Sequence, residues 1–203
     1  MGYVATTIDR PGVIRQTGPM QRLIFGEFAG SETARGKTFL AACLAGGIKA
    51  ELSRDILREI WQKYVFLVGL SGTTSTIRTT IDPIRDNAQT RLFLLDVMRE
   101  VVAVGRAHGV NLDQNYAEVR LRLADDVSSD KTLSMQPDLE RGNPLEVRWL
   151  AGGVVKLGGQ KNVATPLNLA IADILALHAF GKASPGVNPW GLTSKVRSRE
   201  ATI

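Results

Sequence analysis

Ser134-Met135-Gln136-Pro137-Asp138-Leu139-Glu140-Arg141-Gly142-Asn143-Pro144-Leu145-Glu146 reads S-M-x-x-D-x-x-x-G-x-x-x-E, and an apolar run with helical spacing follows at once. Ser134 stands where it can cap a short helix around Pro137-Asp138, or offer its hydroxyl to a carboxylate. Asp138 reads as structural. Asn143 can cap a further helix, with Pro144 at its first position and Glu146 in its first turn. Glu146 then fits two roles. It can reach back to the Asn143 backbone N–H as in a capping box, or it can hold a substrate hydroxyl and orient a cation. One carboxylate oxygen can serve each.

A second polar landmark lies upstream. Lys63 is set in Trp61-Gln62-Lys63-Tyr64-Val65-Phe66-Leu67, on a helix that Ser53 can cap with Asp55 in its first turn. Leu67 and Ser71 follow at i+4 and i+8, so the three share one face if the helix continues past Gly69 and Gly72. A lysine here can act as a general acid toward a developing alkoxide. Taken alone, a lysine on a helix is ordinarily a solvated surface charge.

Outward from these landmarks the helical period recurs. Phe39, Cys43 and Leu44 carry it from Ser31 until Gly46-Gly47. Leu92, Leu95, Val97, Val101 and Val104 carry it between Asn87 and Gly109. Further helices are predicted from Asp113 to Val127 and, after the cap-plus-proline pair Thr165-Pro166, from Leu167 to Ala179. The first residues differ. Tyr3–Ile8, Val13–Gln16 and Arg22–Gly26 read as three short strands, with a turn at Asp9-Arg10-Pro11-Gly12 and a break at Gly18-Pro19. The expected architecture is mainly α, with six or seven helices. Strands occupy residues 1–29, a helical domain residues 30–183, and a disordered tail rich in Pro, Gly and Ser residues 184–203. Three short strands do not make a stable domain alone, so they read as the last piece of a larger sheet.

Composition removes several function classes. Hydrophobic content of 44% and charged content of 22% describe an ordinary globular chain. No apolar run approaches the ~20 residues of a membrane helix. The start shows no signal peptide, and Met1-Gly2 with Thr6 fits a myristoylation pattern only superficially. The single Cys43 excludes an internal disulfide and fits a reducing cytoplasm. A net charge of +5 favours anionic partners, yet the basic residues are scattered among acidic ones. The one basic run, Lys195-Val196-Arg197-Ser198-Arg199, lacks interleaved aromatics, so nucleic acid is not the expected partner. Gly69-Leu70-Ser71-Gly72-Thr73 misses the last glycine of a nucleophile elbow. Gly153-Val154-Val155-Lys156-Leu157-Gly158 has P-loop glycine spacing, but Gly159-Gln160 replaces the Lys-Ser/Thr pair. Cys43, His108 and His178 have no metal-ligand spacing.

With both landmarks in place, the chain resembles the ketopantoate reductase (2-dehydropantoate 2-reductase) family, over nearly all residues from Tyr3 to about Leu177. Pro11-Gly12-Val13-Ile14 and Ile24-Phe25-Gly26-Glu27 look like the last strands of that family's nucleotide-binding domain. Asp55-Ile56 through Lys63 looks like the helix of its catalytic lysine. Met98-Arg99-Glu100-Val101, Gly109, Ser134-Met135-x-x-Asp138, Gly142, Glu146, Leu150-Ala151-Gly152 and Thr165-Pro166-Leu167-Asn168 complete the series. The resemblance implies a 6-phosphogluconate-dehydrogenase C-terminal-like helical fold behind a remnant of a Rossmann domain. It also implies NADPH-dependent reduction of an α-keto acid in the cytoplasm by an enzyme that can be a homodimer. Carried over, Lys63 protonates the carbonyl oxygen, Glu146 and Ser134 hold substrate, Ser71 lines the same site, and Glu146 can also face the cofactor.

Two departures qualify that implication. Well-known members carry asparagines four and eight residues after the lysine, where this chain has Leu67 and Ser71. Leu67 cannot hydrogen-bond, so either another group holds the substrate or the substrate is a keto acid other than ketopantoate. Thr73, Thr74, Ser75 and Arg78 can restore polarity nearby. The dinucleotide fingerprint is also absent from the 203 residues, so the chain reads as truncated, with exposed strand edges that invite association. A non-catalytic dimerising or binding module is the alternative function.

Overall fold

The computed structural model describes residues 1–125 and 134–182. The expected tail, its basic run and the end of the helix expected to reach Val127 lie outside the described residues. The chain divides into two compact units, Met1–Ile60 and a second from Trp61 onward.

The first unit is a three-stranded sheet with one helix. Strands β1 (Gly2–Arg10) and β2 (Val13–Phe25) form an antiparallel hairpin, and helix α1 (Ala34–Ala45) leads to β3 (Ala50–Leu52), which pairs parallel to β2. The sheet therefore runs past residue 29. Where the sequence predicted two strands broken at Gly18-Pro19, there is one. The break is absorbed as a bulge: β2 takes five steps from Gln16 to Gln21 while β1 takes two from Thr6 to Val4. Proline without an N–H is tolerated there because bulged residues leave the ladder. On α1 the expected core residues separate: Cys43 is buried, whereas Phe39 and Leu44 are half exposed.

Helix α2 (Ile56–Ile77) begins in this unit and continues through the second. Its start is held by Asp55, whose carboxylate accepts from Arg58 N at 3.1 Å; the Ser53 hydroxyl accepts from Asp55 N instead. Asp55, not Ser53, is therefore the cap of the first turn. Gly69 and Gly72 do not end α2. They are the points where it packs closest: a Cβ at Gly69 would sit 2.5 Å from Met98 Cγ, and one at Gly72 3.1 Å from Ile171 Cδ1.

The second unit continues with α3 (Ile81–Asp86), α4 (Ala88–Ala107), α5 (Tyr116–Asp125), α6 (Met135–Arg141), α7 (Ala151–Lys161) and α8 (Pro166–Leu175). Asn87 caps α4, accepting from Gln89 N and Thr90 N. Val97, Met98, Val101 and Val104 give α4 a wholly buried face against Val65, Val68 and Ile171, while Leu92 points out to solvent. Thr165 occupies the position before α8 but its side chain makes no capping bond. Glu100 of α4 does that work. Its carboxylate accepts from Leu167 N at 2.8 Å, Asn168 N at 2.9 Å and Asn168 Nδ2 at 2.7 Å. The described part is mainly helical, as the periodicity indicated.

Candidate active site

Lys63 lies in the third turn of α2 and is partly buried. Its neighbour Tyr64 makes the connection that defines the site. The Tyr64 hydroxyl lies 2.9 Å from the Trp149 carbonyl and 2.8 Å from the Leu150 carbonyl, so its single proton is shared between them. Its ring meets Trp61 edge-on at 5.5 Å. Burial pushes the phenol pKa upward, which keeps it a donor. The segment Glu146–Leu150 is thereby tied to α2 one residue from Lys63.

The thirteen-residue motif leads into the segment that Tyr64 holds. Met135 anchors α6 in the core at 1% exposure. Gly142 ends α6 in the left-handed region at φ 71°, a conformation that favours glycine. Asn143 then donates from its backbone to the Asp138 carbonyl (2.8 Å) and from Nδ2 to the Asp138 carboxylate (2.9 Å). Pro144 bridges to Phe180, and Leu145 N donates to Ala179 O. Glu146 opens a single 3₁₀ turn, Glu146–Arg148, whose carbonyl accepts from Trp149 N and Leu150 N.

This corrects the capping-box expectation. Asn143 does not cap a helix, and its N–H goes to Asp138 rather than to Glu146. The residue before the turn is Leu145, with no capping side chain. The Glu146 side chain is exposed. Beside it Arg148 stacks on Trp149 at 5.1 Å, and the indole is 69% exposed.

The other sequence candidates divide. Ser134 precedes α6, is exposed, and makes no capping hydrogen bond through its side chain; its carbonyl accepts from Asp138 N instead. Ser71 is 3% exposed, two turns beyond Lys63 on the same helix. Leu67 between them is partly buried. The hydroxyls expected to restore polarity are turned inward: Thr74 Oγ1 bonds the Leu70 carbonyl at 2.8 Å, and Thr73 and Ser75 are wholly buried. Arg78, with φ 58°, follows the end of α2 and is exposed.

Sequence reasoning missed Tyr64 and Glu100. Tyr64 left a faint signal, a polar-tipped aromatic inside an apolar helical run. Glu100 left one too: the first turn of α8 contains no acidic residue of its own. An open cleft of about 760 Å³ lined by Arg99, Arg106, Asn115 and Glu118 includes neither Lys63 nor Glu146. Arg99 there is already paired with Glu118 at 2.7 Å and Asp96 at 2.9 Å. Among the described residues no cluster of three His, Cys, Asp or Glu side chains could hold a metal, and no helix is long and apolar enough to cross a membrane.

Comparison with known proteins adds a family. Residues 55–179 match the family described as ketopantoate reductase PanE/ApbA C terminal. A 2-dehydropantoate 2-reductase of Mesorhizobium japonicum is 31% identical over 86% of this chain and 52% of its own length. An uncharacterized oxidoreductase of Bacillus subtilis is 28% identical over 81% of this chain and 54% of its own. The crystal structure of a putative ketopantoate reductase from Ralstonia solanacearum superposes with a TM-score of 0.78 at 30% identity, covering 87% of this chain and 53% of that one. The chain spans about half the length of the relatives it matches.

Proposed function

The chain belongs to the ketopantoate reductase family through its C-terminal domain, and we propose on that premise that it forms the substrate side of a reductase of an α-keto acid. The observation that carries this reading is the Tyr64 tie, which fastens α2 beside Lys63 to the turn that begins at Glu146. Lys63 donates a proton to the substrate carbonyl oxygen, and its positive charge stabilises the negative charge developing there. Glu146, not consumed by a cap, accepts from the substrate hydroxyl and orients Lys63. Ser134 hydrogen-bonds the substrate from the rim. Ser71, at the buried end of the same face, is its inner hydroxyl.

A nicotinamide, NADPH in our reading, supplies the hydride in such a reaction. The glycine fingerprint for its pyrophosphate does not occur in these 203 residues, so none of them is assigned to it. One observation favours a second reading within the same chemistry. Leu67 offers no hydrogen bond one turn beyond Lys63, and the exposed Trp149 adds a further apolar surface near the turn. Both suit a keto acid with an apolar side chain better than ketopantoate with its hydroxyl.

Calorimetric titration of the 203-residue chain with ketopantoate, 3-methyl-2-oxobutanoate and phenylglyoxylate tests both. Saturable binding is expected, tightest for the apolar acids. Lys63→Ala should weaken it at least about tenfold, the worth of a hydrogen bond to a charged group. Unchanged binding in that variant removes Lys63 from the site. A parallel NADPH fluorescence titration addresses the module alternative, which saturable binding would contradict.

A further inference from the structure

We propose that Tyr64 is a positioning residue, whose hydroxyl sets the Glu146 turn against the helix of Lys63 and so fixes the geometry in which keto acid is bound. This rests on the keto-acid reading above. The turn Glu146–Arg148 is a single 3₁₀ turn, and so short a helix is weakly determined by its own hydrogen bonds. Its end is closed by Trp149 N and Leu150 N on the Glu146 carbonyl, at 2.8 and 3.0 Å. The carbonyls of those same two residues are the ones that Tyr64 Oη engages. One phenol thus reaches, through two residues, the backbone of the carboxylate-bearing position.

Gly153 is the counterpart of this device. A Cβ there would lie 2.7 Å from Tyr64 Oη, closer than real contacts allow. The glycine, placed inside α7 where it weakens the helix, keeps open the space that the hydroxyl needs. Two opposite perturbations follow: Tyr64→Phe deletes the hydroxyl, and Gly153→Ala displaces it by adding one methyl group.

The test is a double-mutant cycle on keto-acid binding by the full 203-residue chain, with 3-methyl-2-oxobutanoate as probe and calorimetry as readout. Tyr64→Phe alone should weaken binding about fivefold, the worth of one hydrogen bond. In a Glu146→Gln background the same change should cost less than about twofold, because the group being positioned is already lost. Gly153→Ala should weaken binding like Tyr64→Phe, and the two changes together should weaken it no more than either alone, because both remove the same contact. An equal loss in both backgrounds would mean a general structural effect and overturn the proposal. So would unchanged binding in Tyr64→Phe. A wild-type chain that binds none of the keto acids overturns the reading beneath it as well, and that outcome is distinct from wild-type binding with an indifferent Tyr64→Phe.

Discussion

Helices α4 and α2 each reach across to a later helix, and they fasten it with opposite chemistry. From α4, Glu100 presents two oxygens to three N–H donors at the start of α8. From α2, Tyr64 presents one O–H to two carbonyls just before and at the entry to α7. At the first junction the carboxylate is the fastener, and both of its oxygens are engaged. At the second the fastener is a phenol, and the nearby carboxylate, Glu146, remains exposed. A glutamate whose two oxygens accept three hydrogen bonds at a helix N-terminus has little capacity left to offer a ligand. The same residue type therefore closes the fold in one place and stays available for chemistry in the other.

The largest effect should come from breaking the first junction. Glu100→Ala leaves the Leu167 and Asn168 N–H groups without their acceptor. Each buried orphan costs about 1–3 kcal/mol, so a loss of about 2–4 kcal/mol is expected in urea denaturation. A loss below about 1 kcal/mol would show that water replaces the carboxylate and that the two junctions are not different in kind.

Glu100→Gln sharpens the contrast. The amide keeps one acceptor but turns an NH₂ toward a donor, for a loss of about 1–2 kcal/mol at neutral pH. Burial raises the Glu100 pKa above its ordinary value of 4.5, outweighing the lowering by the Leu167 and Asn168 donors. A group whose folded-state pKa is raised adds stability that is complete below the unfolded value and is lost as pH rises through the folded one. The advantage of wild type over Glu100→Gln should accordingly shrink as pH rises above the ordinary carboxylate value. A widening gap would mean that the three hydrogen bonds, not burial, govern this carboxyl.

Much of this was legible in the sequence, for identifiable reasons. The α4 period marked Val97, Val101 and Val104, because a helix in the middle of a bundle must bury a continuous stripe. It misplaced Leu92, which faces away from the buried stripe that Leu94 begins in the same turns of α4. Gly69 and Gly72 left the end of α2 undetermined because glycine is a poor helix former. They are contact points instead, and tertiary packing outweighs propensity where Met98 and Ile171 need the room. The motif's spacing placed Glu146 in a helical first turn, but Asn143 was read as a cap when Asp138 had already claimed it. Competition between two local hydrogen bonds is invisible in a one-dimensional pattern. Tyr64 and Glu100 were missed for a deeper reason: each acts chiefly on backbone groups more than sixty residues away, so the faint mark each leaves locally does not say what it reaches.

The smallest effect on stability, and the most discriminating result, belongs to Glu146→Gln. If Glu146 were a capping residue, losing its charge should cost about 1 kcal/mol. The structure gives it no cap to lose, since Asn143 N donates to Asp138 O and Leu145 holds the position before the turn. An exposed, isosteric change of this kind is expected to stay within about 0.5 kcal/mol. Binding of 3-methyl-2-oxobutanoate should nevertheless fall about tenfold, through loss of a charged acceptor. Stability and binding would then separate at Glu146 while Glu100→Gln moves stability and leaves keto-acid affinity within about twofold. The reverse pattern, with Glu146→Gln unfolding the chain as readily as Glu100→Gln, would make both glutamates fasteners and remove Glu146 from the proposed chemistry.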